Sequence, residues 1–181
     1  MKRSVRIIFA LVTVQAVLVG IYWLVEQRRN SVPEPELNTA PPKHVDGRLP
    51  PLSLRDRSGD RLELSGIAGP TLVHFWATWC APCRVELPGL LALPETHPVQ
   101  VVAVALDREW ADVERFLEGH DLSNVYRADA AEVEAALNVR SLPVTYLVES
   151  SGQLRLRFDG SRDWTDARFL RAWIKDNAVS P

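Results

Sequence analysis

The sequence predicts an α/β domain with a mixed sheet flanked by helices, preceded by one apolar helix at the N-terminus. Three observations support this. The runs Leu72–Trp76 and Val99–Leu106 are apolar and rich in β-branched residues, as is typical of strands buried on both faces. Helical segments alternate with such strands, which indicates a parallel core with crossover helices. Finally, the nineteen residues from Ile7 to Val25 carry no charge, enough for a helix that spans a bilayer.

Composition limits the class of protein. The chain has 181 residues, of which 46% are hydrophobic, and a formal net charge of −2. These values fit a globular domain and show no polyanion-binding signature, so nucleic acid is not expected as a partner.

The N-terminal segment is predicted to be an uncleaved transmembrane anchor over residues 7–25, with residues 1–6 in the cytoplasm. Basic residues precede it at Lys2, Arg3 and Arg6, which modestly favours that orientation. A cleaved signal peptide is the main alternative, but the residues from Trp23 to Gln27 offer no small-residue cleavage site.

The next segment, residues 26–51, is predicted to be a proline-rich tether. Six of the thirteen prolines lie in it, at positions 33, 35, 41, 42, 50 and 51, and little in it could contribute to a core. His44 is expected to be a solvated linker residue. The folded domain is then predicted to cover residues 52–178.

The elements of the domain follow from hydrophobic spacing and turn residues. Arg61–Leu64 alternates after a Ser-Gly-Asp turn and predicts an edge hairpin or strand. Asp107 is expected to cap a helix that ends at Gly119. A short strand at Asn124–Arg127 and a helix at Ala130–Leu137 follow.

The C-terminal part is predicted as a hairpin and a final helix. Val144–Val148 and Leu154–Phe158 flank Ser150-Ser151-Gly152, a pattern typical of an antiparallel hairpin. A helix from Trp164 to Lys175 closes the domain. Trp110, Trp164 and Trp173 are expected to pack in the core rather than to bind a ligand.

The only two cysteines, Cys80 and Cys83, stand three residues apart, just after the strand that ends at Trp76. In a first helical turn this spacing places both sulfurs on one face, close enough to bridge. A helix N-terminus stabilises a thiolate, and Pro82 fits the first turn because its missing N–H is not needed there. The pattern predicts Cys80 as the nucleophile and Cys83 as the resolving thiol.

Two plainer interpretations compete with this chemistry. A structural disulfide that closes so short a loop would add little stability. A zinc site would need two further ligands, for which the chain supplies only scattered histidines: His44, His74, His97 and His120.

The motif Phe75-Trp76-Ala77-Thr78-Trp79-Cys80-Ala81-Pro82-Cys83, with Leu142-Pro143-Val144-Thr145 sixty residues later, resembles a thioredoxin-fold active site. Cys83-Arg84-Val85-Glu86-Leu87-Pro88 is similar to the C-x-x-E-x-P continuation of membrane-anchored thiol:disulfide reductases of the TlpA/ResA/CcmG (DsbE) type. The resemblance covers roughly residues 49–178. The long segment between Asp107 and Pro143 leaves room for the central insertion of that branch.

The resemblance implies a function and partners. It implies a thiol:disulfide oxidoreductase, with reduction favoured, whose domain lies in the periplasm or outside the cell. Its clients would be apocytochrome c or copper-site proteins, and a membrane thiol reductase of the DsbD/CcdA kind would supply electrons. We expect a monomer without a cofactor or a metal.

The resemblance also implies roles for residues outside the cysteine pair. Pro143 would be cis, and Trp79, Leu142 and Pro143 would contact the substrate. Glu86 would exchange a proton with Cys83, because a partly buried carboxyl group has a raised pKa.

His74 departs from the family pattern, in which Asp or Asn occupies this position. A histidine there could carry protons or simply form a hydrogen bond in the core; the core role is favoured.

Other functions remain open on the sequence. Cys80 and Cys83 could hold Cu(I) in a copper chaperone. An oxidase or isomerase could run the same chemistry in the other direction, because small changes in thiolate stabilisation move the potential. A peroxidase of the peroxiredoxin type is disfavoured, because its Thr-x-x-Cys motif is absent.

Overall fold

The computed structural model describes residues 13–26, 37–63 and 70–175. Residues 13–26 form a helix, α1, within an N-terminal unit that is separate from the unit beginning at Pro35. Among the described residues, no helix combines the length and the apolarity needed to cross a membrane. Residues 1–12, which include the predicted cytoplasmic segment and the start of the predicted anchor, lie outside the described residues.

The second unit is built on one mixed sheet. Within the described ranges, eight strands follow the spatial order β1-β8-β7-β4-β5-β6-β2-β3. Strands β4, β5 and β6 run parallel, whereas the other pairings are antiparallel. The strands are β1 Lys43–His44, β2 Ser53–Arg55, β3 Arg61–Glu63, β4 Thr71–Trp76, β5 Gln100–Ala105, β6 Val125–Arg127, β7 Val144–Val148 and β8 Leu154–Asp159.

The helices of this unit connect and cover the strands. They are α2 Ala81–Leu91, α3 Trp110–Phe116, α4 Ala130–Leu137 and α5 Ala167–Leu170, with a 3-10 turn at Leu93–Glu95. The predicted α/β class with a mixed sheet is confirmed, as are the inserted strand β6 and helix α4. The predicted hairpin is also confirmed, as β7 and β8.

Side chains alternate along β4, and this alternation decides which of them face α2, the helix that follows Cys80. All six residues of β4 are buried, as the apolar run predicts. Val73 and Phe75 belong to the same core cluster as Val133 of α4. Leu72 belongs to a cluster with Leu90 of α2. Because successive residues of a strand point to opposite faces, residue 74 lies on the α2 face with residue 72.

The predicted tether is shorter than expected, because residues 37–51 pack on the domain. His44, expected to be a solvated linker residue, lies in β1 as the partner of Leu156 on β8. The Asn38 amide donates to the Asp159 carbonyl at 2.6 Å, and Leu49 is buried in the core. Prolines keep this stretch extended, and an extended chain can also serve as an edge strand.

The predicted helix from Trp164 to Lys175 begins later, at Ala167, and continues as a π-helical turn over Arg171–Lys175. Asp166 caps it by accepting the Arg168 N–H. Trp164 precedes the helix and is buried. Trp110 and Trp173 are half-buried against core clusters, so all three tryptophans pack as expected.

Candidate active site

The redox pair lies where β4 ends and α2 begins. Cys80 is the N-cap residue of α2, and Cys83 falls in its first turn. A disulfide joins them, with Cα atoms 5.3 Å apart. Pro82 occupies the first turn of the helix, where its missing N–H costs no hydrogen bond. The predicted geometry of the motif is therefore confirmed.

The two sulfurs differ in their access to solvent. Cys80 is 6% exposed and Cys83 is fully buried. The Cys80 sulfur accepts the N–H of Cys83 at 3.3 Å, which is the interaction by which a helix N-terminus stabilises a thiolate. This difference fits the predicted roles, in which Cys80 is the nucleophile and the more deeply buried Cys83 is the resolving thiol. Next to Cys80, the side chain of Trp79 is 71% exposed.

The loop before β7 completes one wall of the site. The Leu142–Pro143 peptide bond is cis, as the resemblance implies. Half-buried Leu142 packs against the cluster that contains both cysteines. The Pro143 carbonyl accepts the Gly160 N–H at 2.9 Å, which ties this loop to the end of β8.

Asp107 does not cap α3. Its carboxylate instead binds the redox loop, residues 77–80, which joins β4 to α2. Its carboxylate accepts the Thr78 N–H at 3.0 Å and the Thr78 hydroxyl at 2.5 Å. The N-cap of α3 is Glu109, whose side chain makes no capping bond. The prediction for Asp107 was wrong because Thr78, 29 residues earlier, offers two donors at the neighbouring strand end.

Glu86 lies within α2, on its buried face, as predicted. One carboxylate oxygen, Oε2, accepts the Arg162 N–H at 2.6 Å and the Trp164 indole N–H at 3.1 Å. Burial raises the pKa of Glu86 to about 8, although these hydrogen bonds and the positive charge of Arg162 oppose the rise. The carboxyl group is therefore mostly protonated at neutral pH.

His74 faces Glu86 from β4. Its Nδ1 lies 2.9 Å from the Thr145 hydroxyl, so His74 has the core hydrogen bond that its position favours. Its Nε2 lies 3.5 Å from Oε1 of Glu86, and neither of these two atoms has a hydrogen-bond partner. Burial lowers the pKa of His74 to about 3.

This juxtaposition was not predicted from the sequence. Because both pKa shifts favour the neutral forms, at neutral pH Glu86 is protonated and His74 is an uncharged imidazole. Arg162 and Trp164, which hold the other carboxylate oxygen, lie 76 and 78 residues from Glu86 along the chain. No local pattern indicates contacts of that range.

The chain resembles known thiol-disulfide proteins. The sequence profile of the AhpC/TSA family matches residues 45–157. "Thioredoxin-like protein YneN" of Bacillus subtilis is 32% identical over 114 residues, which cover 60% of this chain and 67% of YneN. "Thiol-disulfide oxidoreductase ResA" of Geobacillus kaustophilus is 30% identical over 122 residues, 65% of this chain and 70% of ResA.

A solved structure gives the same result at the level of the fold. A protein of Chlorobium tepidum, assigned as the thiol:disulfide interchange protein DsbE, superposes with a TM-score of 0.58 at 26% identity. The superposition covers 72% of this chain and 98% of that one.

Proposed function

The chain belongs to the AhpC/TSA family and is a thioredoxin-like thiol:disulfide oxidoreductase of the ResA and DsbE type, and on this basis we propose that it reduces disulfides in selected client proteins. The observation that supports this most strongly is that Cys80, 6% exposed at the start of α2, is paired with a fully buried Cys83, one helical turn before a protonated Glu86. The clients proposed are apocytochrome c or copper-site proteins.

The reaction has two steps. The Cys80 thiolate attacks one sulfur of the client disulfide, and the other client sulfur leaves as a thiolate. The Cys83 thiolate then attacks the Cys80 sulfur, which releases the second client thiolate and forms the Cys80–Cys83 disulfide. Two electrons pass from the enzyme dithiol to the client, and the client thiolates take up protons.

Glu86 is proposed to exchange a proton with Cys83 before the second step: the carboxyl group first releases its own proton, and the carboxylate then accepts that of the Cys83 thiol. An ordinary thiol has a pKa of about 8.5, and that of Glu86 is about 8. A difference of half a pH unit corresponds to less than about 1 kcal/mol, so the proton can move in either direction at little cost. Trp79, Leu142 and Pro143 are proposed to contact the client beside Cys80.

The proposed direction, reduction, depends on how strongly the surroundings of Cys80 stabilise its thiolate. Strongly oxidising enzymes of this chemistry hold the thiolate at a pKa of about 3.5, whereas reducing thioredoxins keep it near 7. In the described part of the chain, the hydrogen bond to the Cys80 sulfur comes from a single backbone N–H. In this oxidised state the sulfur belongs to the disulfide, and the same N–H is placed to donate to the Cys80 thiolate after reduction.

We also propose that residues 7–25 anchor the enzyme, with the domain outside the cytoplasm. In α1, large apolar side chains such as Leu18, Tyr22 and Trp23 are more than half exposed, which suits contact with lipid. A membrane thiol reductase of the DsbD/CcdA kind would then re-reduce the pair in an oxidising compartment. Alkaline phosphatase fused after residue 36 should be active, and an inactive fusion would contradict this orientation.

The test of the function uses a peptide with an oxidised C-x-x-C-H haem-attachment motif. The reduced full chain in detergent should reduce this peptide, with both partners followed by thiol alkylation and mass spectrometry. The Cys83→Ala variant should stop at a mixed disulfide between Cys80 and the peptide. The Cys80→Ala variant should neither form this mixed disulfide nor reduce the peptide. If the wild type leaves the peptide oxidised, reduction of such clients is not its function.

A further inference from the structure

A cavity of about 770 Å³ lies beside the redox loop. The ends of β5 and β6, the start of α4 and the hairpin β2–β3 line it. Because β4, β5 and β6 are parallel, their carboxyl ends meet at one edge of the sheet, which is where open α/β sheets bind ligands. The cavity and Cys80 therefore share an edge.

Three arginines form a row across this cavity. Arg55 on β2 is the direct partner of Arg61 on β3 and of Arg127 on β6, and all three line the cavity. Strands lie about 4.8 Å apart, so the row spans about 10 Å. Like charges directly opposite each other destabilise a sheet. The fold alone does not account for this arrangement.

The three carboxylates that line the cavity, among the residues described, accept hydrogen bonds from neutral groups and make no ion pair with its arginines. Asp107 accepts from Thr78. Asp129 caps α4 by accepting the N–H groups of Ala131 and Glu132. Glu132 itself accepts the Ser53 N–H at 3.3 Å.

The arginines, by contrast, are not neutralised. Arg127 donates to the carbonyl oxygens of Asp107 and Arg108, which leaves its charge unpaired. Exposed Arg55, Arg61 and Arg108 make no ion pair with any side chain that the structure describes. The four arginines outnumber the three carboxylates of the described lining, so the cavity has a formal charge of +1 in a chain whose net charge is −2.

One residue connects this site to the redox pair. The Asp107 carboxylate lines the cavity and accepts the Thr78 N–H, two residues before Cys80. A polypeptide segment bound on the arginines would therefore lie at the same edge of the sheet as Cys80.

We propose that Arg55, Arg61, Arg127 and Arg108 form a docking site for an acidic segment of the client protein, a proposal that rests on the reductase function. The segment carries two or three carboxylates within about 10 Å, close to the client disulfide. Guanidinium groups bind carboxylates through paired, charge-assisted hydrogen bonds. Such a site raises the rate of productive encounter more than the rate of the exchange itself.

The test compares two peptides with the same disulfide loop, one flanked by Asp-Glu-Asp and the other by Asn-Gln-Asn. The rate of oxidation of the reduced full chain in detergent is measured with each. We expect the acidic peptide to react about tenfold faster at low ionic strength, and the ratio to approach one in about 1 M salt. In the triple variant Arg55→Gln, Arg61→Gln, Arg108→Gln, the ratio should also approach one.

Arg155→Gln is the control: Arg155 is an exposed strand arginine on β8, several strands away from the cavity, and is paired with Glu149; this variant should keep the wild-type ratio. A wild-type ratio of one, or an unchanged ratio in the triple variant, would overturn the proposal. Binding to phosphatidylglycerol vesicles is the second measurement. If the triple variant keeps the wild-type ratio but loses binding to these vesicles, the arginines contact a membrane surface and the proposal is overturned. If neither peptide nor uncharged hydroxyethyl disulfide is reduced, the reductase function fails and the docking site with it.

Discussion

The buried Glu86 makes the stability of the protein depend on pH, and Glu86→Gln should remove that dependence. Its pKa is raised from 4.5 to about 8, so between these values the folded state holds a proton that the unfolded chain has released. Stability contributed by the protonated form is therefore lost as the pH rises from 4.5 through 8. Glutamine keeps the shape of the side chain and an oxygen that can accept from Arg162 and Trp164.

The magnitude follows from the width of the pH window. The pKa of His74 is lowered from 6.5 to about 3, so the folded protein gains stability from neutral His74 as the pH rises from 3 to 6.5. This gain offsets the effect of Glu86 in that range. Above pH 6.5 only Glu86 contributes. From pH 6.5 to 8 is 1.5 pH units, each worth about 1.4 kcal/mol, so the wild type should lose about 2 kcal/mol relative to Glu86→Gln.

The assay is urea unfolding of the oxidised full chain in non-ionic detergent at pH 6.5 and pH 9. In the oxidised protein the disulfide removes both thiols from the titration, and other groups titrate alike in the two proteins. Glu118→Gln, at an exposed position, is the control and should follow the wild type. If wild type and Glu86→Gln lose stability in parallel, Glu86 does not carry a buried proton.

Two further substitutions test the supports of the site. Asp107→Ala leaves the Thr78 N–H and hydroxyl without their acceptor and should destabilise the protein by about 1–3 kcal/mol and slow disulfide exchange. The exposed Asp112→Ala should do neither, and equal effects of the two would remove the bracing role. Trp164→Phe deletes a hydrogen bond that favours ionised Glu86, so the pKa of Glu86, measured by carbon-13 NMR of the carboxyl group, should rise; a fall would contradict the assignment.

The local parts of the site could be predicted from the sequence, because short-range spacing determines them. Cys80 and Cys83 share a helical turn whose N-terminus follows a buried strand, and Glu86 lies one turn further on the same helix. To predict these positions, only the helical repeat and the apolar strand before the helix are required. The cis bond before Pro143 followed from the family resemblance.

The parts that were missed depend on contacts between distant segments. Asp107 has the residue type of a helix cap, but its actual partner is set by strand order. The meeting of His74 with Glu86 requires β4 to present its even-numbered residues to α2. Proline content predicted a tether over residues 26–51, but the pairing of residues 43–44 with β8 depends on tertiary context.

The reduction potential of the Cys80–Cys83 pair tests the central claim, that this protein donates electrons to clients. The full chain is equilibrated in dithiothreitol or glutathione redox buffers, and the oxidised fraction is read by thiol alkylation. A reductase should have a midpoint more negative than about −220 mV, whereas a midpoint near about −120 mV, that of a strong oxidant, would contradict the account.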